Sequence, residues 1–389
     1  MPKYIANIIF TFVISLLFLL PTSYMVVRSF APTLIGYKKP IKPPVLNFKH
    51  IYNGQGVKGK IKGVYLDATY NIKVLYEWYI RKIGLKKELL KMYQFIKEDI
   101  LNTNPFPNKV IKGRIGWLFL GDDFENALSI SLGIKRFNKK QIKNITRTIT
   151  SHYNWCNQRG IKYYFMLVPG KHDIYSEYLP FDKPDQPTTY DMLSEALALT
   201  QIPFVDSREA LISGKSKQLY YKEDTHWNGH GAWIAYLQLM DSIGQDFPFI
   251  SGLSHREVFF DSVFNGSGDL AKFLNRRSPF PKISAYPVVS NAKIMKKQLK
   301  VPAGYNTSSP NNYEYRFRNR KGELKVLVFR DSYFTALQTL IPETFGSNVL
   351  IWDPKMDTNI IIKEQPDIVI QEVAERMIKK FYLINRALN

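Results

Sequence analysis

The stretch ELKVLVFRDSYFTALQTLI, residues 323–341, places strand-forming residues directly before a helical pattern. Lys325–Phe329 is predicted to be a buried strand, and Ser332 falls on the sharp turn that follows it. A serine on such a turn projects its hydroxyl above the sheet, beside helix N–H groups that can stabilise an oxyanion. Alternatively, Asp331 or Ser332 only caps the helix. The stretch by itself leaves both interpretations open.

The rest of the C-terminal part repeats this alternation of strand and helix. Helices are predicted over KKQIKNITRTITSHYNWCNQRG, TTYDMLSEALALT and NGHGAWIAYLQLMDSIG. Strands are predicted over IKYYFMLVP, NVLIWD and DIVIQEV, and a short strand and turn over IPFVDSREAL. KVIKGRIGWLFLGDD predicts a hairpin, and residues 247–320 are expected to be irregular. Continuously apolar strands between helices predict an α/β domain with a mainly parallel sheet flanked by helices.

Catalytic groups in such sheets gather where the strands end. Five groups of polar residues are predicted there: 169–172, 206–207, 330–332, Asp353 and Glu372.

The segment YYKEDTHWNGHGAW, residues 220–233, offers the base that a serine nucleophile needs. Asp224 and His226 stand two positions apart on a loop before a helix that starts at Asn228 or Gly229, so the carboxylate can orient the imidazole. A metal site made of Asp224, His226 and His230 is a weaker hypothesis. His226 precedes the helix, and no Glu follows it as in metalloprotease motifs. A purely structural role at the helix start is the third possibility.

The charge of the chain limits its partners. A formal charge of +21 arises from 54 Lys and Arg against 33 Asp and Glu among 389 residues. These cations are scattered, with no zinc-finger spacing and no aromatic-basic RNA signature, so nucleic acid is not expected as a partner. A polyanion or an anionic membrane surface explains the charge equally well. Cys156 is the single cysteine, which excludes an internal disulfide and a thiolate metal cluster.

The N-terminal region predicts a membrane anchor. Tyr4–Val27 is a charge-free, mostly apolar run of 24 residues, which predicts an uncleaved transmembrane helix within residues 1–30. Residues 31–107 are predicted to form a proline-containing stalk and a membrane-proximal helical region, and residues 108–389 the catalytic domain. Four cations follow the apolar run, at positions 28, 38, 39 and 42, against Lys3 and the α-amine before it. The positive-inside rule therefore opposes export of the C-terminal domain.

Several motifs in order resemble the alginate O-acetyltransferase proteins of the AlgJ and AlgX type, a branch of the SGNH hydrolase-like superfamily. They are GRIGWLFLGDD (113–123), LVPGKHDIYSEYLP (167–180), EDTHWNGHGA (223–232), GSGDLAKFL (266–274), VLVFRDSY (326–333) and PDIVIQEVAERMI (366–378). The resemblance covers residues 108–380. The predicted N-terminal membrane anchor is similar to that of AlgJ-type proteins in particular.

The resemblance implies a triad in which Asp224 orients, His226 is the base and Ser332 is the nucleophile. Arg330 stands where the superfamily block has glycine, a departure from the pattern. The loop Asn265–Gly268 is the candidate source of a second oxyanion donor, and a plain turn that caps a helix is the alternative. The substrate or oxyanion candidates are Asn265, Gly266, Gly268, Lys171, Arg330 and Tyr333.

The implied activity is transfer of acetyl groups to hydroxyls of an exported polysaccharide through an acetyl-Ser332 intermediate, without a metal or another cofactor. The implied donor is a membrane-bound O-acyltransferase partner, and the implied location is a single-pass protein of a bacterial inner membrane with a periplasmic catalytic domain. The alternatives are an acetylesterase that uses the same residues and a non-catalytic polysaccharide-binding scaffold of an export complex.

Overall fold

The computed structural model describes residues 3–36, 38–53, 55–82, 84–276, 279–303, 305 and 310–385. The chain forms two compact units, Met1–Pro105 and Phe106–Asn389.

The N-terminal unit is helical. Its helices are α1 (Lys3–Phe30), α2 (Lys49–Asn53), α3 (Gly56–Lys82) and α4 (Lys86–Phe95), the last continuing into a wider turn over Ile96–Ile100. Among the described residues, no helix combines the length and the apolar character that crossing a bilayer requires. The anchor over residues 1–30 therefore stays a prediction, and Met1 and Pro2 lie outside the described residues.

The second unit is an α/β domain. Its strands are β1 (Val110–Lys112), β2 (Leu118–Leu120), β3 (Lys162–Val168), β4 (Phe204–Asp206), β5 (Val258–Asn265), β6 (Phe280–Pro287), β7 (Lys293–Ile294), β8 (Glu314–Arg318), β9 (Lys325–Phe329), β10 (Ser347–Ile351) and β11 (Ile368–Ala374). Its helices are α5 (Ala127–Ser131), α6 (Lys139–Asn157), α7 (Lys171–Ile174), α8 (Thr189–Ala198), α9 (Arg208–Ser213), α10 (Gly229–Asp246), α11 (Asp269–Phe273), α12 (Ile341–Thr344), α13 (Thr358–Glu364) and α14 (Ile378–Ile384).

Within the described residues, seven strands form one sheet in the order β4-β3-β11-β9-β10-β8-β7. The first five run parallel, as their continuous apolar sequences predict, and β8 pairs antiparallel with both of its neighbours, β10 and β7. The α/β architecture is confirmed, and the sheet is mixed.

Both faces of the sheet are buried. Along β3, Tyr164 and Met166 belong to one apolar core, and Tyr163 and Phe165 belong to the other. Helix α10 supplies the first core and helices α6 and α8 the second. Because successive side chains of a strand point to opposite faces, a strand between two cores is apolar at every position.

The structure corrects the sequence prediction in two places. The stretch expected to be irregular, residues 247–320, contains the β5–β6 hairpin and the strands β7 and β8. After Ser332 the chain forms a short 3₁₀ helix, Tyr333–Leu337, instead of an α-helix. Strand β8 alternates polar and apolar residues beside partly exposed neighbours, and that pattern is weaker than the continuous apolar runs of the central strands.

Candidate active site

The turn after β9, residues 330–333 (the elbow), is held to the end of β11 by hydrogen bonds. The carboxylate of Asp331 accepts from the backbone N–H groups of Tyr333 (2.9 Å) and Ala374 (2.8 Å). The backbone N–H of Asp331 donates to Oε2 of Glu372 at 2.8 Å. The carboxylate of Asp331 is therefore engaged in hydrogen bonds within the protein, whereas Ser332 faces the open end of the sheet.

The loop before α10 carries Asp224 and His226. It closes as a narrow turn, because Tyr221 N–H donates to His226 O (3.2 Å) and Asn228 N–H donates to Leu219 O (2.8 Å). The side chain of Asn228 accepts from the N–H groups of His230 and Gly231 and so caps α10. His226 therefore precedes the helix, as its sequence position predicts.

The structure brings Asp224, His226 and Ser332 into one hydrogen-bonded series, called here the Asp–His–Ser chain. Nδ1 of His226 lies 2.7 Å from Oδ1 of Asp224, and Nε2 lies 2.8 Å from Oγ of Ser332. The backbone N–H of His226 also donates to Oδ1 of Asp224 at 3.0 Å. The serine hydroxyl can pass its proton to one ring nitrogen while the carboxylate holds the proton on the other.

Burial and charge set the ionisation of this pair. Burial by itself would raise the pKa of Asp224, but the hydrogen bond and the charge of His226, together with the N–H groups of Asp269 and His226, hold that pKa well below its usual range. Burial would lower the pKa of His226, but the hydrogen bond and charge of Asp224 and the charge of Asp269 raise it above the usual 6.5. Asp224 is therefore a carboxylate at neutral pH, and His226 is a stronger base than free imidazole.

Asp269 is a second carboxylate at this site that the sequence did not indicate. Its Oδ2 lies 3.8 Å from Nδ1 of His226, and its oxygens accept from the backbone N–H and the hydroxyl of Thr225. Its own backbone N–H donates to Oδ2 of Asp224 at 2.9 Å. The motif GSGDLAKFL contains Asp269, but only the fold places α11 against the loop of Asp224.

Two further residues fix the position of this loop. Lys171 is buried, and its Nζ donates to the carbonyls of Tyr221 (3.0 Å), Lys222 (3.1 Å) and Asp224 (2.8 Å). Burial lowers the pKa of Lys171 to about 7. Gly268 packs so closely that an added Cβ would lie 2.0 Å from the carbonyl oxygen of Glu223.

His226 and Ser332 open onto a cleft of about 520 Å³. Aromatic and basic side chains line it beside small polar ones; among them are Tyr221, Phe280, Tyr286, Trp352, Lys272, Lys282 and Ser267. Of the predicted substrate or oxyanion candidates, Gly266 and Tyr333 lie on its wall, and the side chain of Asn265 lies outside the described part of the structure. Lys171 and Arg330 do not line the cleft, because both are buried in the protein.

The side chain of Arg330, the first residue of the elbow, is buried in the protein. Its Nη1 donates to the carbonyl of Asp331 and to the hydroxyl of Thr335, both at 2.9 Å, and its guanidinium lies 4.4 Å from the ring centroid of Trp352. Burial lowers its pKa to about 10. The side chain that replaces the superfamily glycine therefore supports the cleft from inside and does not narrow its entrance.

Other predicted strand-end residues serve the fold. Asp206 accepts from the hydroxyls of Tyr190 and Ser194, and Asp353 accepts from the backbone N–H of Lys355. Neither lies among the residues that line the cleft.

Three potential metal ligands lie together in the described part of the structure. They are Asp224, His226 and Asp269, whose ligand atoms are within 4.8 Å of one another. His230 is not in this group; its ring packs on Phe260 at 4.2 Å between centroids. The hydrogen bonds described above already use the oxygens of both carboxylates and Nδ1 of His226. A metal that binds through His226 and His230 does not fit this geometry.

Residues 110–298 match the family model described as the SGNH hydrolase-like domain of acetyltransferase AlgX. Over these residues the chain is similar to SGNH hydrolase-like domains of the AlgJ and AlgX type. The resemblance drawn from the sequence motifs is confirmed.

Curated relatives to which this chain is similar are described as probable alginate O-acetylases AlgJ. The Pseudomonas fluorescens protein is 27% identical over 170 residues, which cover 42% of this chain and 41% of the relative. The Pseudomonas aeruginosa protein is 24% identical over 217 residues, covering 54% of this chain and 50% of the relative. The chain thus spans about half the length of these relatives or less.

Solved structures share the fold at low sequence identity. Bacillus cereus PatB1 superposes with a TM-score of 0.51 at 16% identity, covering 69% of this chain and 96% of PatB1. A DHHW family protein from Eubacterium siraeum gives a TM-score of 0.50 at 13% identity, covering 72% of this chain and 99% of that one. A further PatB1 structure, described as carrying a sulfonyl adduct, gives a TM-score of 0.50 at 16% identity, covering 67% of this chain and 92% of that one.

Proposed function

We propose that this protein transfers acetyl groups to hydroxyls of an exported polysaccharide through an acetyl-Ser332 intermediate. The observation that carries the proposal is the Asp–His–Ser chain, with its serine at the floor of an open cleft. The description of the curated relatives as alginate O-acetylases supports the choice of acetyl and of a polysaccharide.

In the first half-reaction, Nε2 of His226 takes the proton of Ser332 as Oγ attacks the carbonyl carbon of an acetyl donor. Asp224 stabilises the imidazolium that forms. The donor's leaving oxygen then takes the proton from His226, and acetyl-Ser332 remains.

In the second half-reaction, Nε2 of His226 takes the proton of a sugar hydroxyl, and the resulting alkoxide attacks acetyl-Ser332. The ester bond to Oγ breaks, and Ser332 takes back the proton from His226. A backbone N–H of the elbow and one from the loop Asn265–Gly268 are the proposed donors to the oxyanion.

The cleft suits an anionic sugar chain. Aromatic rings such as Phe280, Tyr286 and Trp352 can pack against the apolar faces of sugar rings. Lys272 and Lys282 add positive charge that attracts carboxylates along such a polymer.

Ser332→Ala tests the proposal directly. We expect loss of acetate release from p-nitrophenyl acetate and loss of a sulfonyl fluoride adduct, with an unchanged melting temperature. Ser267→Ala, on the same cleft wall, is the matched control and should retain both. Full activity in Ser332→Ala would remove the nucleophile from the proposal.

The acceptor separates transfer from hydrolysis. With an O-deacetylated polyuronate present, acetyl groups should appear on the polymer at the expense of free acetate. Release of acetate alone, with no acetylated polymer, would identify an acetylesterase.

The membrane-bound O-acyltransferase donor and a single-pass anchor over residues 1–30, with the catalytic domain outside the inner membrane, are parts of the same proposal. Charge near the anchor opposes export, but long domains can cross a membrane despite flanking cations. Alkaline phosphatase fused after residue 389 should therefore be active, since it folds only where disulfides form. An inactive fusion produced at normal levels would place Ser332 in the cytoplasm.

A further inference from the structure

Helix α3 turns a polar face toward the rest of its unit. The carboxylate of Asp67 accepts from the backbone N–H groups of His50 (3.2 Å) and Ile51 (2.8 Å), and the side chain of Asn71 bonds Asn47 N and O at 2.8 and 2.7 Å. Gly63 packs against the backbone of His50, where an added Cβ would lie 2.4 Å from the carbonyl oxygen. Hydrogen bonds from Asp67 and Asn71 therefore hold the inner face of α3 to the segment 47–51.

The outer face of α3 is apolar. Exposed side chains lie along it at Val57 (77%), Ile61 (65%), Val64 (51%), Ile72 (66%) and Leu75 (41%), in two groups with steps of three or four residues, and the two groups are eight residues apart. Tyr65 and Tyr76 extend the same face and are also exposed. A helix on the surface of a soluble protein has the opposite arrangement, with its apolar side toward the core. An exposed apolar face of this length marks a contact surface.

The charge around this face is positive. Helix α3 carries six cations, at positions 58, 60, 62, 73, 81 and 82, against Asp67 and Glu77. Residues 1–105 contain 16 Lys and Arg against 5 Asp and Glu. Since the carboxylate of Asp67 is buried in hydrogen bonds, the exposed charge of α3 is almost entirely cationic.

We propose that α3 lies in the surface of an anionic phospholipid bilayer, with the face Val57–Ile61–Val64–Ile72–Leu75 among the acyl chains and its lysines at the lipid headgroups. Apolar exposure continues onto α1 of the same unit, where Ile8, Phe12, Leu19 and Phe30 are also exposed. Apolar exposure over two helices is broader than the contact area of one partner helix, and the predominantly positive charge matches anionic lipid. This inference does not depend on the acetyl transfer chemistry.

Site-specific labels in the full-length chain test the orientation of α3. Cys156 is fully buried and burial raises its pKa to about 12, so a new surface cysteine can be labelled selectively with an environment-sensitive fluorophore. Ile61→Cys and Ile72→Cys place the label on the apolar face. Glu77→Cys is the control, since Glu77 is exposed and lies roughly 140° around the helix from Ile72.

On addition of phosphatidylglycerol vesicles, the fluorescence emission of the labels at 61 and 72 should shift to shorter wavelength. Lipids that carry a quencher near the headgroup should quench this emission. The label at 77 should show neither change. The change should weaken in pure phosphatidylcholine vesicles and at high salt. Replacing Lys58, Lys62 and Lys73 by Gln should lower the partition of this face into the vesicles about fivefold per lysine at low salt.

Two outcomes would overturn the proposal. Equal responses at 61, 72 and 77 would show that the face has no orientation in lipid. No response in vesicles, combined with protection of Ile72→Cys from labelling in native membranes, would assign the face to a protein partner instead.

Discussion

Two carboxylates lie close to Nδ1 of His226, and their different contacts predict different losses on substitution. Asp224 bonds the ring directly at 2.7 Å, whereas Asp269 stands 3.8 Å away and bonds Thr225. Replacing each by Asn removes one charge with little change of volume, so Asp224→Asn and Asp269→Asn form a matched pair.

The contacts set the size of each effect. In Asp224→Asn the imidazole of His226 loses a charged acceptor, and its tautomer is no longer fixed. We expect a loss in rate of about 10⁴-fold, as for the equivalent substitution in the serine protease triad. For Asp269, the Coulomb energy near 4 Å is about 1 kcal/mol in water and about 4 kcal/mol near a protein surface. Its side chain is about a third exposed, at 32%, so solvent screening favours the lower value and a loss of about fivefold.

The pH profile of Ser332 acetylation should move in a defined direction. The reaction needs neutral His226, so its rate rises with pH through the pKa of His226, which lies above 6.5. Removing the charge of Asp224 lowers that pKa, and the midpoint of the profile shifts toward acid while its plateau falls. Asp269→Asn should shift the midpoint in the same direction by a smaller amount.

The measurement is the single-turnover rate of acetylation by p-nitrophenyl acetate from pH 5 to 9, with thermal unfolding of each variant as the control for folding. A larger loss in Asp269→Asn than in Asp224→Asn would exchange the two roles. An acid shift absent in both variants would refute the assigned electrostatics.

Three further substitutions test the residues that hold the site in position, and a chelator tests the metal hypothesis. Lys171→Met removes the donor to three loop carbonyls, of which that of Lys222 still accepts from Leu118 N–H. The free energy of unfolding, measured in urea, should fall by about 2–3 kcal/mol, since each of the other two acceptors costs about 1 kcal/mol or more when unpaired. Gly268→Ala should lower both stability and acetyl ester hydrolysis, because its Cβ would meet the carbonyl of Glu223; unchanged activity would show that the loop can move. Arg330→Met should lower the free energy of unfolding, because it removes the donor to the carbonyl of Asp331 and the hydroxyl of Thr335 and the cation near Glu372; unchanged stability would mean that the cost of burying the guanidinium cancels these contacts. Acetyl ester hydrolysis should survive EDTA, and its loss would revive the metal hypothesis for His226.

Asp224, His226 and Ser332 could be chosen from the sequence because each stands in a recognisable local context. Ser332 follows an apolar strand at a sharp turn, and His226 precedes a helix capped by Asn228. The central strands were equally predictable, since burial on both faces makes every position apolar. Asp269 gave no such signal, because an acidic residue in the first turn of a helix is common and is accounted for by its favourable interaction with the helix dipole.

The sequence determined the α/β class, the parallel strands and the candidate residues of the site, because these follow from local periodicity and from residue chemistry. Only the tertiary structure decided which carboxylate meets Nδ1, that Lys171 and Arg330 lie inside the protein, and that α3 faces outward with its apolar side. Those facts depend on contacts between residues such as Thr225 and Asp269, 44 positions apart, or His226 and Ser332, 106 positions apart. Side-chain periodicity reports which face of an element is apolar, whereas the partner of that face is fixed by long-range packing that no local pattern contains.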